Sequence, residues 1–582
     1  MESCIDGFWL PQGVRQSVLS DETEYATLSF ADGRPCEPGD EGAITMRWPR
    51  LSLEQWEQLL KALQQNSQQG PRGQEFWDRL QTALKMVGQR FAEPSDPLRA
   101  QALTALPGYT GFSEPMIHFT LGALDLMSLE QLSAAFSLSP TTQVCRDWQP
   151  MKGLPGRLCF YADSSWRHLL GQLPGFSDRS FFGPLATPNL VIGYGAGNVP
   201  GTGLLIALLA QSTTLAGGAS PAVVIKNSRR EPIFTPLVLQ GLEAVDRELV
   251  SGTAVLIWDY QDIALQNRLL SQADLVIAAA SDDTIAQIAA QITKTREKQA
   301  LSASAHTSSR PIRFHAHGHK VSFSAIGSEV LPHGLVDQAS GQPLLDIVTL
   351  LAALDSIFWD QYGCLSSRIH FVERGGQGHH TPLEYALRLE AQMRLLADFL
   401  PRGAWPRQQL HDRFDRYKLL ETTGQVEVLS GYDDEFLVAL DRRPLNTAAF
   451  RAMVNDCQGR VIIVRPVADL LEVPNRYLRL LPAHNLQSLS VAVGQAEKGV
   501  TARFLHFAKA CGARGVTAIR TVGRGAFPQL AHSWDGLIPL DLVRRRPAGR
   551  FTTIEFNAPY EEMLETYQLL LSRGAAMGVM LK

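Results

Sequence analysis

From Ser180 to Ile225 the chain carries no charged side chain, although charged residues make up 19% of its 582 residues. Two structures tolerate such a run: a membrane span, or strands buried on both faces of a sheet. A span needs roughly 20 uninterrupted apolar residues. Here Gly193, Gly195, Gly197, Pro200, Gly201 and Gly203 break the run, Gly217, Gly218 and Pro221 break it again, and the one clean apolar stretch, Leu204 to Ala210, is far too short. The segment therefore reads as a buried strand (190–195), a glycine-rich turn with a helix through Ala210, and a second buried strand (222–227).

The pattern continues. Apolar strands are expected at 253–259 and 275–280, with a helix starting near Pro232 and with Ser281 and Asp282 at a helix N-cap. Alternation of this kind predicts a parallel sheet with helices on both faces. A second alternating block follows. It has strands at 320–327, 368–373, 461–466, 488–493 and 515–520, helices at 349–359 and 382–400, and two strands in the charged stretch 402–455. Residues 551–556 and 561–571 add a last strand and helix. Upstream, residues 1–50 read as short strands and turns. Leu53, Trp56, Leu59, Leu60 and Leu63 fall on one helical face, Phe76, Leu80, Leu84 and Val87 repeat the sign, and residues 115–136 read as helical. The length implies several domain-sized units.

A net charge of -4, from 54 Lys+Arg against 58 Asp+Glu, gives no basic excess for a nucleic-acid partner. The seven cysteines are scattered without a CxxC pair, which argues against a disulfide framework and a structural zinc site. The first residues lack the basic and apolar regions of a signal peptide, so the expected location is cytoplasmic, with no transmembrane span.

Several residues could carry chemistry. The turn Gly193 to Gly203 lets the backbone approach a ligand, with Gly197 at its centre, although a plain strand–helix turn explains the glycines equally well. Asn198 there could donate to a developing oxyanion. Lys226 ends the second strand, where ligands bind open α/β sheets. With Ser228, Arg229 and Arg230 it forms a basic and hydroxyl cluster fit for a ribose and a phosphate, or a solvated loop. Ser281 could meet a phosphate or simply cap its helix. Cys364, on a turn before a strand, is a nucleophile if its thiolate is favoured, and otherwise an inert core residue. His315, His317 and His319 would share a strand face, but no acidic or cysteine ligand joins them, and no metal is expected.

Taken together, GAGNVPG (195–201), VVIKNSRREPI (223–233), ADLVIAAASDD (273–283), GHKVSFSAIG (318–327), WDQYGCLSSRIHFVE (359–373), the WDG at 534–536 and the Gly-Tyr-x-Gly-Phe-Ser run at 108–113 resemble the LuxC family of fatty-acyl reductases, a branch of the aldehyde dehydrogenase superfamily. The resemblance covers about residues 100 to 550. It implies an aldehyde-dehydrogenase-like α/β fold with four segments. These are a largely helical N-terminal region (1–150), a Rossmann-like nucleotide-binding domain (151–325), a catalytic domain carrying the nucleophilic cysteine (326–540), and a C-terminal strand and helix (541–582) that packs back or mediates oligomerisation.

It implies roles as well. Cys364 falls at the acyl-accepting nucleophile, Asn198 at the oxyanion asparagine, and Lys226 at the lysine that contacts the adenosine ribose. Arg229 stands where NAD-preferring relatives place a ribose-binding glutamate, which favours NADPH. Ser281 matches the diphosphate-facing serine, with Ala280 in place of the usual preceding glycine. Aligning Lys320 with the superfamily lysine puts Ala316 at the position of the hydrolytic glutamate, so water would be poorly activated against an acyl-enzyme. The expected activity is NADPH-dependent reduction of a fatty acyl-CoA or acyl-protein thioester to a fatty aldehyde through an acyl-cysteine. The alternatives are an acylating aldehyde dehydrogenase for short acyl-CoA, a cysteine acyltransferase that uses no nicotinamide, and a silent scaffold. The partner classes implied are an acyltransferase, an acyl-protein synthetase and further copies of the chain.

Overall fold

The computed structural model describes residues 4–122, 143–151, 154–162, 187–216, 218–302, 312–495, 501–526, 534–537, 542–543, 551–556 and 558–576. The first residues of the charge-free stretch (180–186), the helix expected beyond Gly122 and the segment 163–179 lie outside them. In chain order the strands are β1 (Ile5–Asp6), β2 (Tyr25–Ala31), β3 (Arg34–Cys36), β4 (Ile44–Pro49), β5 (Gln143–Met151), β6 (Leu154–Ala162), β7 (Leu190–Tyr194), β8 (Ala222–Lys226), β9 (Thr253–Leu256), β10 (Leu275–Ala279), β11 (Arg313–His317), β12 (Val321–Ile326), β13 (Ser367–Glu373), β14 (Val426–Val428), β15 (Leu437–Asp441), β16 (Val461–Val467), β17 (Leu486–Ala492), β18 (Ala518–Thr521) and β19 (Phe551–Ile554). The chain divides into two compact units, one of residues 1–138, 177–319 and 538–548, the other of 139–176, 320–537 and 549–582. In this division the N-terminal region clusters with the 177–319 segment, and residues 139–176 and 549–582 cluster with 320–537.

The first unit holds a parallel sheet in the order β11-β10-β7-β8-β9 and a small sheet β1-β4-β2-β3. Every residue of β7, β9 and β10 is buried, and the helix Thr202–Ser212 is buried almost all round. Burying side chains such as Leu204, Ile206 and Leu208 contributes about 1.5–3 kcal/mol each. A charge anywhere in these elements would lack water and a partner. The described part of the silent stretch is thus two buried strands and their crossover helix, and among the described residues no helix is long and apolar enough to cross a membrane.

The N-terminal region is helical after its small sheet. Helices Leu53–Gln69, Gly73–Ala92, Pro97–Thr110 and Glu114–Gly122 follow one another, with Pro71 lying between the first two. Ser52 and Gln55 close a capping box at the first of them. The region is tied to the parallel sheet. Trp9 pairs with Val255 through N–H···O bonds of 2.8 and 2.9 Å, and Trp56 packs edge-on against Trp258 at 5.4 Å.

Among the described residues the second unit is built on a ten-stranded sheet in the order β14-β15-β16-β13-β12-β17-β18-β19-β6-β5. It is parallel from β15 to β19 and antiparallel at its margins. One face packs Phe323, Phe371, Phe450 and Tyr477, and the other packs helices Leu344–Ile357 and Pro382–Phe399 through Leu351, Tyr385 and Leu389.

Candidate functional site

In the first unit the residues expected to hold a cofactor lie at the carboxyl ends of the neighbouring strands β10, β7 and β8. The turn after β7 lies directly on the loop after β8. A Cβ at Gly197 would come 2.2 Å from Ser228 Oγ, so glycine there is accounted for by the chain's own packing. Gly201, at φ +90°, is the N-cap of helix Thr202–Ser212. Asn198 is exposed at the tip of the turn. Ser228 Oγ accepts from Arg230 N–H at 3.2 Å.

Lys226 is half-buried, with Nζ 5.6 Å from the Trp258 ring. Burial, reinforced by the charge of Arg229 and opposed by Asp259, pulls its ammonium down to about 8. Arg229 is exposed. Its guanidinium lies over Trp48 at 5.7 Å and 3.7 Å from Asp259 Oδ2, and its carbonyl accepts a 2.6 Å bond from Tyr109 Oη. Both Trp48 and Tyr109 come from the N-terminal region. Ser281 is the N-cap of helix Asp282–Ser302: its Oγ lies 3.3 Å from the Thr284 N–H it accepts and 3.0 Å from Thr284 Oγ1.

The same edge holds buried polar atoms with no hydrogen-bond partner: Tyr194 Oη, Asn227 Nδ2, Thr235 Oγ1 and Trp258 Nε1. Orphaned donors and acceptors at the carboxyl end of a parallel sheet, beside a cationic strand end, fit a polar nucleotide ligand. Glu231 escaped the sequence reading. It is buried, accepts from the N–H groups of Phe234 (2.7 Å), Ile233 (3.1 Å) and Gly201 (3.5 Å), and is pushed up to about 7 by burial. Its carboxylate joins the starts of two helices, which is why the chain turns where it does after Arg230.

Cys364 belongs to the second unit. It lies on the turn between helix Leu344–Ile357 and β13, at the amino-terminal edge of the sheet. Ser322 Oγ donates to the Cys364 carbonyl (2.7 Å) and accepts from Ser488 Oγ (2.8 Å). The thiol is pushed up to about 11, by desolvation first and then by the charge of Asp535. A hydrogen bond from Gln487, the residue's own N–H and the charge of Arg368 act in the opposite direction. Burial outweighs these, and the resting group is a thiol.

Gln487 also donates from Nε2 to Asp535 Oδ1 at 2.9 Å, and its Oε1 is buried without a partner. Asp535 is 4% exposed, lies 3.9 Å from Lys320 Nζ, and sits at φ +51° in the two-residue hairpin turn closed by Trp534 and Leu537. Gln487 was not singled out from sequence, and Asp535 entered only within the WDG at 534–536, with no role assigned. The signals were a glutamine inside an apolar strand and an aspartate–glycine turn.

The backbone before Cys364 is unusual. Trp359 (φ 54°), Asp360 (φ 47°) and Gln361 (φ 65°) are three successive left-handed residues without a glycine. Each such residue costs of order 1 kcal/mol or more. The stretch is held by buried polar bonds. Asp360 pairs with Arg460 Nε at 2.7 Å and accepts from Gly403 N–H and Trp405 Nε1, while Gln361 bridges the Ser367 carbonyl and the Val461 N–H.

His315 and His317 are buried on β11 beside β10, and His319 N–H donates to Asp282 Oδ1 at 2.7 Å. They are not the histidines that cluster with an acidic group: among the described residues that grouping is His333, His380 and Glu384.

The α/β fold of the chain is that of the aldehyde dehydrogenases. Solved structures share the fold at low identity. An aldehyde dehydrogenase from Brucella melitensis biovar abortus 2308 matches with TM-score 0.52 at 11% identity, covering 94% of this chain and 96% of that one. The Δ-pyrroline-5-carboxylate dehydrogenase of Mycobacterium tuberculosis, solved with NAD and cobalamin, matches with TM-score 0.51 at 12% identity over 96% and 91%. A salicylaldehyde dehydrogenase from Pseudomonas putida G7 gives TM-score 0.51 at 11% identity over 92% and 95%. No curated protein matches in sequence. The acyl-CoA reductase (LuxC) family matches residues 181–546, a span holding Asn198, Lys226, Cys364, Gln487 and Asp535, and the chain belongs to that family. It is an oxidoreductase enzyme of the acyl-reducing, aldehyde-forming kind.

Proposed function

We propose that the chain reduces a fatty acyl thioester, acyl-CoA or acyl-protein, to a fatty aldehyde with NADPH, through an acyl-cysteine on Cys364. The observation that carries this reading is a cysteine within the family-matched span, on a strained turn at the sheet edge, with a buried glutamine amide directed at its sulfur. Cys364 Sγ attacks the thioester carbonyl, the carbon–sulfur bond to the leaving thiol breaks, and the thiol proton departs with it. Asn198 Nδ2 and the Cys364 N–H are assigned as donors to the oxyanion. Gln487 Nε2 stabilises sulfur as it gains and loses charge. NADPH supplies the hydride that reduces the acyl carbon. The thiohemiacetal on Cys364 then breaks its carbon–sulfur bond, releasing aldehyde and restoring the cysteine.

Lys226, Ser228, Arg229, Ser281 and the Gly197 backbone are assigned to the cofactor. Arg229 is the specificity element, since a guanidinium suits a 2′-phosphate. The neighbouring Asp259 competes for it. Arg229→Glu should lower kcat/KM for NADPH relative to NADH by about 10–100-fold, the range of one charged hydrogen bond. An unchanged ratio would remove Arg229 from the assignment.

The covalent step is tested by intact-protein mass spectrometry after mixing with palmitoyl-CoA and no cofactor. The expected result is one added acyl group on the wild type, lost on NADPH addition with release of hexadecanal, and none on Cys364→Ala. Adducts with acetyl- or butyryl-CoA but not palmitoyl-CoA would turn the reading toward a short-chain enzyme, and an adduct that NADPH never discharges would turn it toward an acyltransferase.

A further inference from the structure

At the carboxyl ends of β12 and β13 the two following loops run side by side. His333 N–H donates to the Gly378 carbonyl and His380 N–H to the Leu331 carbonyl, both at 2.8 Å, with Pro332 bridged to His379 between them. This pairing sets the imidazoles of His333 and His380 against each other, ring centroids 4.3 Å apart. One turn into helix Pro382–Phe399, Glu384 is fixed by a capping box with Thr381, whose N–H donates to Glu384 Oε2 at 2.6 Å. The capping bond occupies one carboxylate oxygen of Glu384. Its other oxygen faces the histidines: Oε1 lies 3.6 Å from His380 Nδ1 and 4.0 Å from His333 Nε2. Both distances are too long for direct hydrogen bonds. His380 Nδ1 is shielded from solvent and has no hydrogen-bond partner.

We propose that His333 Nε2, His380 Nδ1 and Glu384 Oε1 form a binding site for a divalent transition metal of the zinc class, with water completing the coordination. All three ligand atoms lie within 4.8 Å of one another. Bonds of about 2.0–2.1 Å in a tetrahedron put ligand atoms about 3.3 Å apart, so the set closes on an ion with side-chain shifts of about an ångström. Two imidazoles and one carboxylate select Zn²⁺, Co²⁺ or Ni²⁺ over Mg²⁺ or Ca²⁺. The carboxylate is held by its cap and the histidines by paired backbones, so little ordering remains to be done on binding. The site lies at the opposite end of β13 from Cys364, and its role is to clasp the two loops to the helix rather than to take part in the chemistry.

The test uses Co²⁺ titrated into the full chain and then displaced by Zn²⁺. The expected result is one tight equivalent with d–d absorption and no thiolate-to-cobalt charge transfer, and a raised Tm with Zn²⁺. His333→Ala and His380→Ala should each weaken binding by about 10-fold or more. Glu384→Gln, which keeps the capping box, should weaken binding while leaving the metal-free Tm unchanged, and Cys364→Ser should bind as the wild type does. Absence of a tight equivalent, binding indifferent to the two histidines, or a thiolate-type spectrum would overturn the site.

Discussion

The reactivity of Cys364 is a balance of a few neighbours, and the balance predicts the sign of each change. With the thiol pushed up to about 11, about one molecule in a thousand is thiolate at pH 8, and alkylation by iodoacetamide should rise about tenfold per pH unit below that value. Asp535 raises the thiol, so Asp535→Asn should speed alkylation about 3- to 10-fold at fixed pH. Gln487 lowers it, so Gln487→Leu should slow it. The opposite order would disprove the assignment of both residues. The linkage to folding has one sign: the raised thiol contributes fully below the unfolded value of about 8.5 and loses that contribution as pH climbs toward about 11, because the unfolded chain ionises first. At this scale the sequence showed the residues that sit in motifs, Cys364, Lys226, Asn198 and Ser281. It did not show Trp48, Gln487 or Asp535 as their neighbours, because these come from segments distant in sequence and meet those residues only through tertiary packing.

Elements explain why the cysteine turn holds its shape. No glycine marks residues 359–361, so nothing in their identities announces a left-handed path. The path is imposed by Arg460, a hundred positions on, whose guanidinium is fully buried against Asp360 and the Leu400 carbonyl. Arg460→Leu would leave the Asp360 carboxylate buried without its partner and should cost about 3–5 kcal/mol by urea unfolding. A loss under about 1 kcal/mol would show that the turn does not depend on the pair. Elsewhere the elements were legible. The strands at 190–195, 222–227, 275–280, 368–373 and 461–466 appear within a residue or two, because apolar runs bounded by turn residues leave few alternatives. The helix expected near Pro232 begins at Phe234, displaced by the Glu231 carboxylate that receives its first N–H groups.

For the whole molecule, alternation of strand and helix announced two parallel sheets and the family resemblance announced their superfamily. Sheet order was not legible, since β12 pairs with both β13 and the far later β17, and such pairings depend on the packed core rather than local residue type. The N-terminal region also changed meaning: through Trp9, Trp48, Trp56 and Tyr109 it supports the strand ends assigned to the cofactor. The central claim, reduction of an acyl thioester through Cys364, is tested most directly by the loss of NADPH absorbance with palmitoyl-CoA, wild type against Cys364→Ala. The account predicts turnover with equimolar aldehyde in the wild type and none in the variant, with NADPH binding retained. Turnover that survives in Cys364→Ala would contradict it.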